Sequence, residues 1–333
     1  MQVVDRNTLL SALEAVSPGL DKKASLVQSD CFVFEDDLVR TYNDQTACSI
    51  QSPLKDYEGA AKAEELLSIL GKLTEKELRV SHTDAEVLIE GKRRRFGIYQ
   101  EQEIVLPGVG DLPEDWSKLP PEFGDAINLV RHCVSKEKDK FIICCIHLHP
   151  EYVEATDNVQ LARYTIRTGL KTSYLVNPVA MKHVMELGMD EVGETKTWLH
   201  FRNQAGLVFS CRKYVDRFPE ASHLLEGTGE KLKLPQGLGE VLEKVEQFTK
   251  NNPDDEAQVR VTIKGKEFRV KGQGAHGWYE EVKEINSKLN VCFYIDPKLL
   301  ETLAEKTPEC QIVGARLLVD NGAFKYATAL ALA

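Results

Sequence analysis

The sequence predicts an α+β protein made of three similar domains in series. One order of elements, helix, strands, helix, strands, occurs three times, each pass taking about 110 residues. Strand and helix signals alternate without the spacing of βαβ units, which argues for antiparallel sheets packed against a helix layer. Connectors rich in proline and glycine, "LPGVGDLPEDWSKLPPE" and "EGTGEKLKLPQGLG", fall where the passes meet, and set the expected domains at 1–112, 113–233 and 234–333.

The opening helices are read in "NTLLSALEAV", "EFGDAINLVRHCV" and "GLGEVLEKVEQF". Their apolar residues recur at helical spacing: Leu9, Leu10, Leu13 and Val16, then Phe123, Ile127, Val130 and Val134, then Val241, Leu242, Val245 and Phe248. Each helix therefore buries one stripe. Strand-rich segments follow, "CFVFEDDLVRTYNDQTACSI", "FIICCIHLHPEYVEATDNVQLARYTI" and "QVRVTIKGKEFRVKGQGAHGWYEEVKEI", with period-two alternation and β-branched or aromatic enrichment. The second helices are placed in "AAKAEELLSILGKL", "NPVAMKHVMELG" and "DPKLLETLAEK". The last two carry proline near the first helical turn, where a missing N–H costs nothing. Strands close each pass, in "ELRVSHTDAEVLIEGKRRRFGIY", "TKTWLHFRNQAGLVFSCRKYV" and "CQIVGARLLVDNGAFKYATAL".

Composition narrows the function classes. With 42% hydrophobic and 28% charged residues the chain is ordinary globular protein. No apolar run approaches the roughly 18 residues needed to span a bilayer, so no membrane partner is expected. A basic region followed by an apolar stretch and a cleavage site is not found near Met1, so a cytoplasmic location in a bacterial cell or infected bacterial host is expected. The eight cysteines form no CxxC pair and are read as buried free thiols. A net charge of −10 excludes a protein that coats nucleic acid over its whole surface, while leaving room for a locally basic face.

"GQGAHG", 272–277, has the spacing of a dinucleotide-binding loop. Those glycines cradle a pyrophosphate only where a helix begins on them. Here "WYEEVKEI" follows and reads as strand, so a turn or a tight strand crossing is expected and no nucleotide cofactor.

Two segments in the second pass point to a family. "ATDNVQLARY", 155–164, and "RFPEASHLL", 217–225, resemble signature segments of the bacterial sliding clamp, the beta subunit of DNA polymerase III. In that family an alanine-threonine-aspartate strand end leads into a turn and a leucine, and arginine-phenylalanine-proline follows the domain's last strand. "GKRRRFGIY" looks like the family's closing hairpin in the first pass, and "TYNDQTACSI" stands where the threonine-aspartate turn belongs. The resemblance covers the full chain through its three-domain organisation and is sparse residue by residue, as in divergent clamps of bacteriophage type.

The resemblance implies three tandem DNA-clamp domains and a homodimeric ring around duplex DNA, held by topology and not by sequence. Its partners would be a replicative DNA polymerase and a clamp loader. Lining of the hole would fall to Lys22, Lys23, Arg131, Lys136, Lys138, Lys182, Lys244 and Lys298. Partner peptides would dock on Thr156, Asp157 and Leu161, on Pro219 and Leu224, and on the tail around Tyr326 and Leu330. Val159, Gln160 and the ending "ATALALA" depart from the family pattern, so the peptide read there differs. The dimer seam would join residues near 70–80 to those near 266–279. A second reading of the same resemblance is a clamp-derived scaffold that binds replication proteins without encircling DNA.

Catalytic readings find little footing. Cys145, His147 and His149 alternate along "CCIHLH" as zinc ligands would on one strand face, yet no fourth partner is near in sequence, so no metal is expected. Asp36 with Asp37 and Asp254 with Asp255 read as solvated turns. Asp157 and Asp44 occupy matching turns and are expected to cap backbone amides. "KRRR", 92–95, is placed on a solvated sheet surface. No phosphate loop is present, no catalytic residue is assigned, and ATP-driven loading falls to another protein.

Overall fold

The computed structural model describes residues 1–137, 139–249 and 258–331; Lys138, Asp254 and Asp255 lie outside them. The first pass runs β1 (Gln2–Asp5), α1 (Arg6–Val16), β2 (Cys31–Glu35), β3 (Leu38–Tyr42), β4 (Thr46–Gln51), β5 (Gly59–Lys62), α2 (Ala63–Lys72), β6 (Glu77–His82), β7 (Glu86–Glu90) and β8 (Arg95–Glu101). The second runs β9 (Ser117–Lys118), α3 (Phe123–Val130), β10 (Ile146–His149), β11 (Tyr152–Thr156), β12 (Gln160–Thr165), β13 (Tyr174–Val176), α4 (Pro178–Glu186), β14 (Glu191–Glu194), β15 (Trp198–Arg202) and β16 (Val208–Tyr214). The third runs β17 (Glu230–Lys233), α5 (Gly239–Glu246), β18 (Val259–Lys264), β19 (Glu267–Gly274), β20 (Gly277–Glu284), β21 (Asn290–Ile295), α6 (Pro297–Lys306), β22 (Glu309–Val313), β23 (Arg316–Asp320) and β24 (Phe324–Ala329). None of these helices is long and apolar enough to cross a membrane.

Pairing repeats as faithfully as order. The strand before the first helix pairs antiparallel with the strand after the second, β1 with β6, β9 with β14 and β17 with β22. Three hairpin-linked strands follow each first helix, β2–β3–β4, β10–β11–β12 and β18–β19–β20. Two compact units result: Met1–Pro121, Gly169–Lys171 and Val179–Val215 form one, and Glu122–Thr168, Thr172–Pro178 and Asp216–Ala333 the other. Within the first unit β4 pairs with β16, Thr46 opposite Cys211. Within the second β12 pairs with β24, Gln160 opposite Thr328. The counterparts of these strands, β20 and β8, keep an outer edge without a partner among the described residues, β8 being touched by β5 only at Gln100 and Glu101. The dimer seam is expected near 70–80. That stretch holds the end of α2 and the start of β6, which is paired on both sides, by β1 and by β7.

Local chemistry accounts for the elements. Asp5 caps α1 by accepting from the Thr8 amide at 2.9 Å, and Asp296 caps α6 by accepting from Lys298 and Leu299 at 2.9 and 3.0 Å, with Pro297 at the first helical position. α1 buries Leu9, Ala12, Leu13 and Val16, and α5 buries Val241, Leu242 and Val245. β18 alternates, with Val259, Val261 and Ile263 inward. "GQGAHG" is a hairpin turn, Gly274 opposite Gly277, with strand on both sides. Gly272 serves a close crossing: a Cβ there would lie 2.4 Å from the Val245 carbonyl oxygen on α5.

Several boundaries differ from the sequence reading. α3 ends at Val130 and a 3₁₀ turn, Arg131–Cys133, replaces its expected last turn. Residues 60–62 belong to β5, where Ala60 and Ala61 pair with Val33 and Phe32. Phe141–Cys144 is a 3₁₀ turn, so Cys145 precedes β10, outside the strand that carries His147 and His149. "KRRR" occupies the β7–β8 turn and the first residue of β8, exposed throughout, so strand alternation does not divide it between faces.

Candidate functional site

The turn between β11 and β12 is held by its own side chains. Asp157 Oδ1 accepts from the amides of Val159 and Gln160 at 2.8 and 2.7 Å, and its Oδ2 from Gln160 Nε2 at 2.9 Å. Thr156 Oγ1 donates to the Gln160 carbonyl at 2.6 Å. Asn158 takes the left-handed conformation, φ +74°, which asparagine tolerates. In the first unit the residue that caps in this way is Asn43, bonded to the Gln45 and Thr46 amides. Asp44, the counterpart of Asn158 with φ +69°, accepts instead from Arg212 at 2.8 Å and Tyr42 at 3.1 Å. The expected match of Asp44 to Asp157 is off by one residue.

Beside the turn lies a groove of about 360 Å³, floored by Leu161 of β12 and Ala327 of β24 and walled by Pro219, Ala221 and Leu224. Thr156, Arg316 and Thr328 complete the rim, and Val159 stands 53% exposed at its mouth. The wall is anchored from below. Phe218 stacks on His147 at 4.8 Å between ring centroids. His147 Nδ1 is 2.8 Å from buried Glu154, which accepts from Arg163 Nη2 at 2.6 Å. Arg163 in turn donates to Ser222 Oγ at 3.0 Å and lies 4.3 Å over the Tyr152 ring. His147 is thus the post on which the arginine-phenylalanine-proline segment rests. His149 stacks on Tyr152, and burial holds its pKa below the usual histidine value. Among the described residues no cluster of three His, Cys, Asp or Glu is arranged to hold a metal. Burial pushes the Cys145 thiol up to about 12, leaving it protonated.

Of the seven residues expected to meet a peptide, Thr156, Leu161, Pro219 and Leu224 line this groove. Asp157 faces a polar cavity of about 380 Å³ on the other side of the turn, with His132, Ser135, Lys136 and Asp296. There His132 Nδ1 lies 3.3 Å from Asp296 Oδ2 but off the line of a hydrogen bond, and the Asp296 carboxyl is held below its usual value against its burial by His132 and by two backbone amides. Tyr326 is corrected to a core residue: its ring is fully buried, and its hydroxyl donates to Gln160 Oε1 at 2.8 Å, bracing the turn from within. Leu330 is half-buried outside the lining, its amide bonded to Ala315. Alternation along β24 explains Tyr326, since it and Ala327 point to opposite faces. Ala315 and Arg316 went unread, because their part in the groove follows only from the pairing of β23 with β24.

The basic residues are spread over both units. Lys22 and Lys23 are exposed in the loop after α1, and Lys182 on α4 pairs with Glu186 at 3.5 Å. In the other unit Arg131 donates to Asn128 at 3.0 Å, Lys136 is exposed, and Lys244 lies 3.7 Å from Glu281. Lys298 is exposed in the first turn of α6, where a cation opposes the helix dipole. Lys138 lies outside the described residues.

Solved structures supply the remaining comparison. The chain is similar to the sliding clamp (DNA polymerase III subunit beta) from Pseudomonas aeruginosa bound to griselimycin, with TM-score 0.78, 13% identity and 99% of each chain covered. It is equally similar to the beta chain of DNA polymerase III from Streptococcus pneumoniae, TM-score 0.78 at 12% identity over 99% of each chain. The beta subunit from Thermotoga maritima gives TM-score 0.75 at 14% identity, again over 99% of each. No protein-family model and no curated protein matches the sequence. The expected α+β clamp-type fold is borne out over the full length.

Proposed function

We propose that this protein is a DNA sliding clamp, a processivity factor that closes as a homodimer around duplex DNA and tethers a replicative DNA polymerase through the Leu161 groove. The observation that carries the reading is the pair of unfilled edges. β4 with β16 and β12 with β24 are two copies of one junction, and β20 with β8 are the strands left to make a third. In the proposed homodimer the third junction is made between two chains, twice, which would close a ring of six domains.

The registers of the two internal junctions are carried over to the proposed third. Aligning the turn residues Thr46, Gln160 and Gly277, and the hairpin-closing residues Val208, Lys325 and Arg95, sets Gly277 opposite Ile98, Trp278 opposite Gly97, Tyr279 opposite Phe96 and Glu280 opposite Arg95. That register covers the exposed ring of Trp278 with a strand that offers glycine beneath it, an aromatic-over-glycine pair familiar from sheets. It also brings the basic turn at 92–95 to the acidic run Glu280, Glu281 and Glu284. Phosphate contacts in the hole, from the lysines and arginine named above, are few and mobile because a tether has to slide. Polymerase and loader, the latter with its own ATP chemistry, are proteins that reach the groove with apolar peptides.

Sedimentation over a wide concentration range, followed by retention on a closed DNA circle before and after linearisation, tests this. A dimer that stays on the circle and runs off the cut DNA is expected. A monomer that is equally retained on both would leave the scaffold reading in its place.

A further inference from the structure

The first unit contains a second groove built from the same parts. It has a volume of about 330 Å³ and lies where β4 meets β16, with the connector 107–112 as its wall. Ala47 and Ser210 occupy the positions that Leu161 and Ala327 occupy in the other groove, Tyr42 that of Thr156, and Pro107, Val109 and Leu112 stand where Pro219, Ala221 and Leu224 do. For the floor and Tyr42 the equivalence follows from the strand registers; for the walls it follows from each being the connector that leads out of its pass.

Two differences define what fits. The floor is cut back, alanine and serine replacing leucine and alanine, which leaves depth for a bulky side chain. Arg40 replaces Glu154 on the wall. Its guanidinium pairs with Glu35 through Nη2, whereas Nε is buried with no hydrogen-bond partner, and Nη1 is the nearest atom to the open Cα face of Gly108. Nη1, beside Gly108 in the groove lining, is the donor of this guanidinium that a carboxylate seated in the groove would meet. Leu112, 44% exposed, extends the apolar surface outward.

We infer that this groove is a second docking site, for an extended peptide that seats a leucine- or phenylalanine-sized side chain over Ala47 and Ser210 and sets a carboxylate on Arg40. The inference rests on reading the Leu161 groove as a peptide site and adds a site of different charge preference. A clamp protomer would then hold two peptides at once, one at each internal junction.

The probes are the tripeptide acetyl-Asp-Leu-Phe-amide and its Asn counterpart, titrated into the full chain carrying ¹³C-methyl alanine, leucine and valine and followed by NMR. Saturable shifts of the Ala47, Val109 and Leu112 methyls are expected, with the Asn probe at least about threefold weaker there, as for loss of one charge-assisted hydrogen bond. Arg40→Gln removes that preference without filling the groove. Ala47→Phe fills it and abolishes the shifts while those of Leu161 and Leu224 persist. Shifts confined to Leu161 and Leu224 overturn the inference and leave the proposed function standing. Shifts in neither groove overturn both peptide readings, and equal affinity for the two probes at Ala47 overturns the role of Arg40.

Discussion

Reversing one charge at the proposed seam tests its register to the residue. In the register set by the internal junctions, Arg95 of one chain faces Glu280 of the other. Both already have partners within their own chain: Arg95 Nε is 3.1 Å from Glu90, and Glu280 accepts from Arg269 at 2.7 Å. The Arg95 side chain is 66% exposed in the free edge, so the intermolecular pair is a modest one. An opposite pair across strands contributes roughly 0.2–1 kcal/mol and a like pair costs a similar amount, so Arg95→Glu destabilises each seam by about 1 kcal/mol. Twofold symmetry makes the change twice, for about 2 kcal/mol, which is roughly a thirtyfold rise in the dimer dissociation constant. Sedimentation velocity at low and high salt reads it, and the effect should shrink as salt screens the exposed pair. Arg95→Glu combined with Glu280→Arg should restore the constant to within about threefold, since Arg269 keeps Glu267 at 2.9 Å. Lys264→Glu, on a strand away from either edge, should change nothing. A double variant no tighter than the single would refute the register even if the protein is a dimer.

Tyr326→Phe removes the buried donor to Gln160 Oε1 and should cost about 1–2 kcal/mol in urea unfolding, with faster amide exchange at Val159 and Gln160. Gly272→Ala drives a methyl against the Val245 carbonyl and should cost about 1–3 kcal/mol, while binding of a dinucleotide stays absent in both proteins. His200, enclosed with Thr195 and Ser210, has its pKa lowered by burial to about 4. Because the folded state resists the proton that the unfolded state accepts near 6.5, stability is present above that value and is lost as pH falls toward 4. About 2 kcal/mol of loss is expected by pH 5, and His200→Gln should flatten that part of the urea-midpoint profile; parallel profiles for the two proteins would show that His200 does not carry it.

What the sequence disclosed and what it hid divide along physical lines. The element order was legible because helical stripes such as Leu9, Leu13 and Val16 and alternating runs such as Val259, Val261 and Ile263 are local signals. Boundaries slipped where an apolar run is ambiguous. "FIICC" has strand composition but forms a 3₁₀ turn, and "AAK" joins β5 because Val33 and Phe32 offer it a partner. The groove was half legible. Thr156, Leu161, Pro219 and Leu224 sit in contiguous motifs, whereas Ala327 enters it through the β12–β24 ladder and Arg316 through the β23–β24 pairing behind it, which no local pattern reports. Tyr326 was misplaced by one step of alternation, the error to which strand residues are most prone.

The repeats conserve pairing while letting side chains drift, and this is what makes the functional surfaces readable from topology. Three turns begin with Asn43, Asp157 and Gly274, three residue types that hold one register: two by side-chain caps and the third as a glycine pair, Gly274 opposite Gly277. Because register survives the change of residue, each junction predicts the next. Counting from Val208 and Lys325 gives Arg95 its proposed partner Glu280, and the proposed role of Ala47 is carried over from Leu161. The same logic explains why the basic turn at 92–95 looked purposeless in the isolated chain. Its proposed complement is Glu280 to Glu284 on a second copy, so a cluster that has only exposed pairs to Glu75 and Glu90 within one chain would gain further partners in the proposed ring.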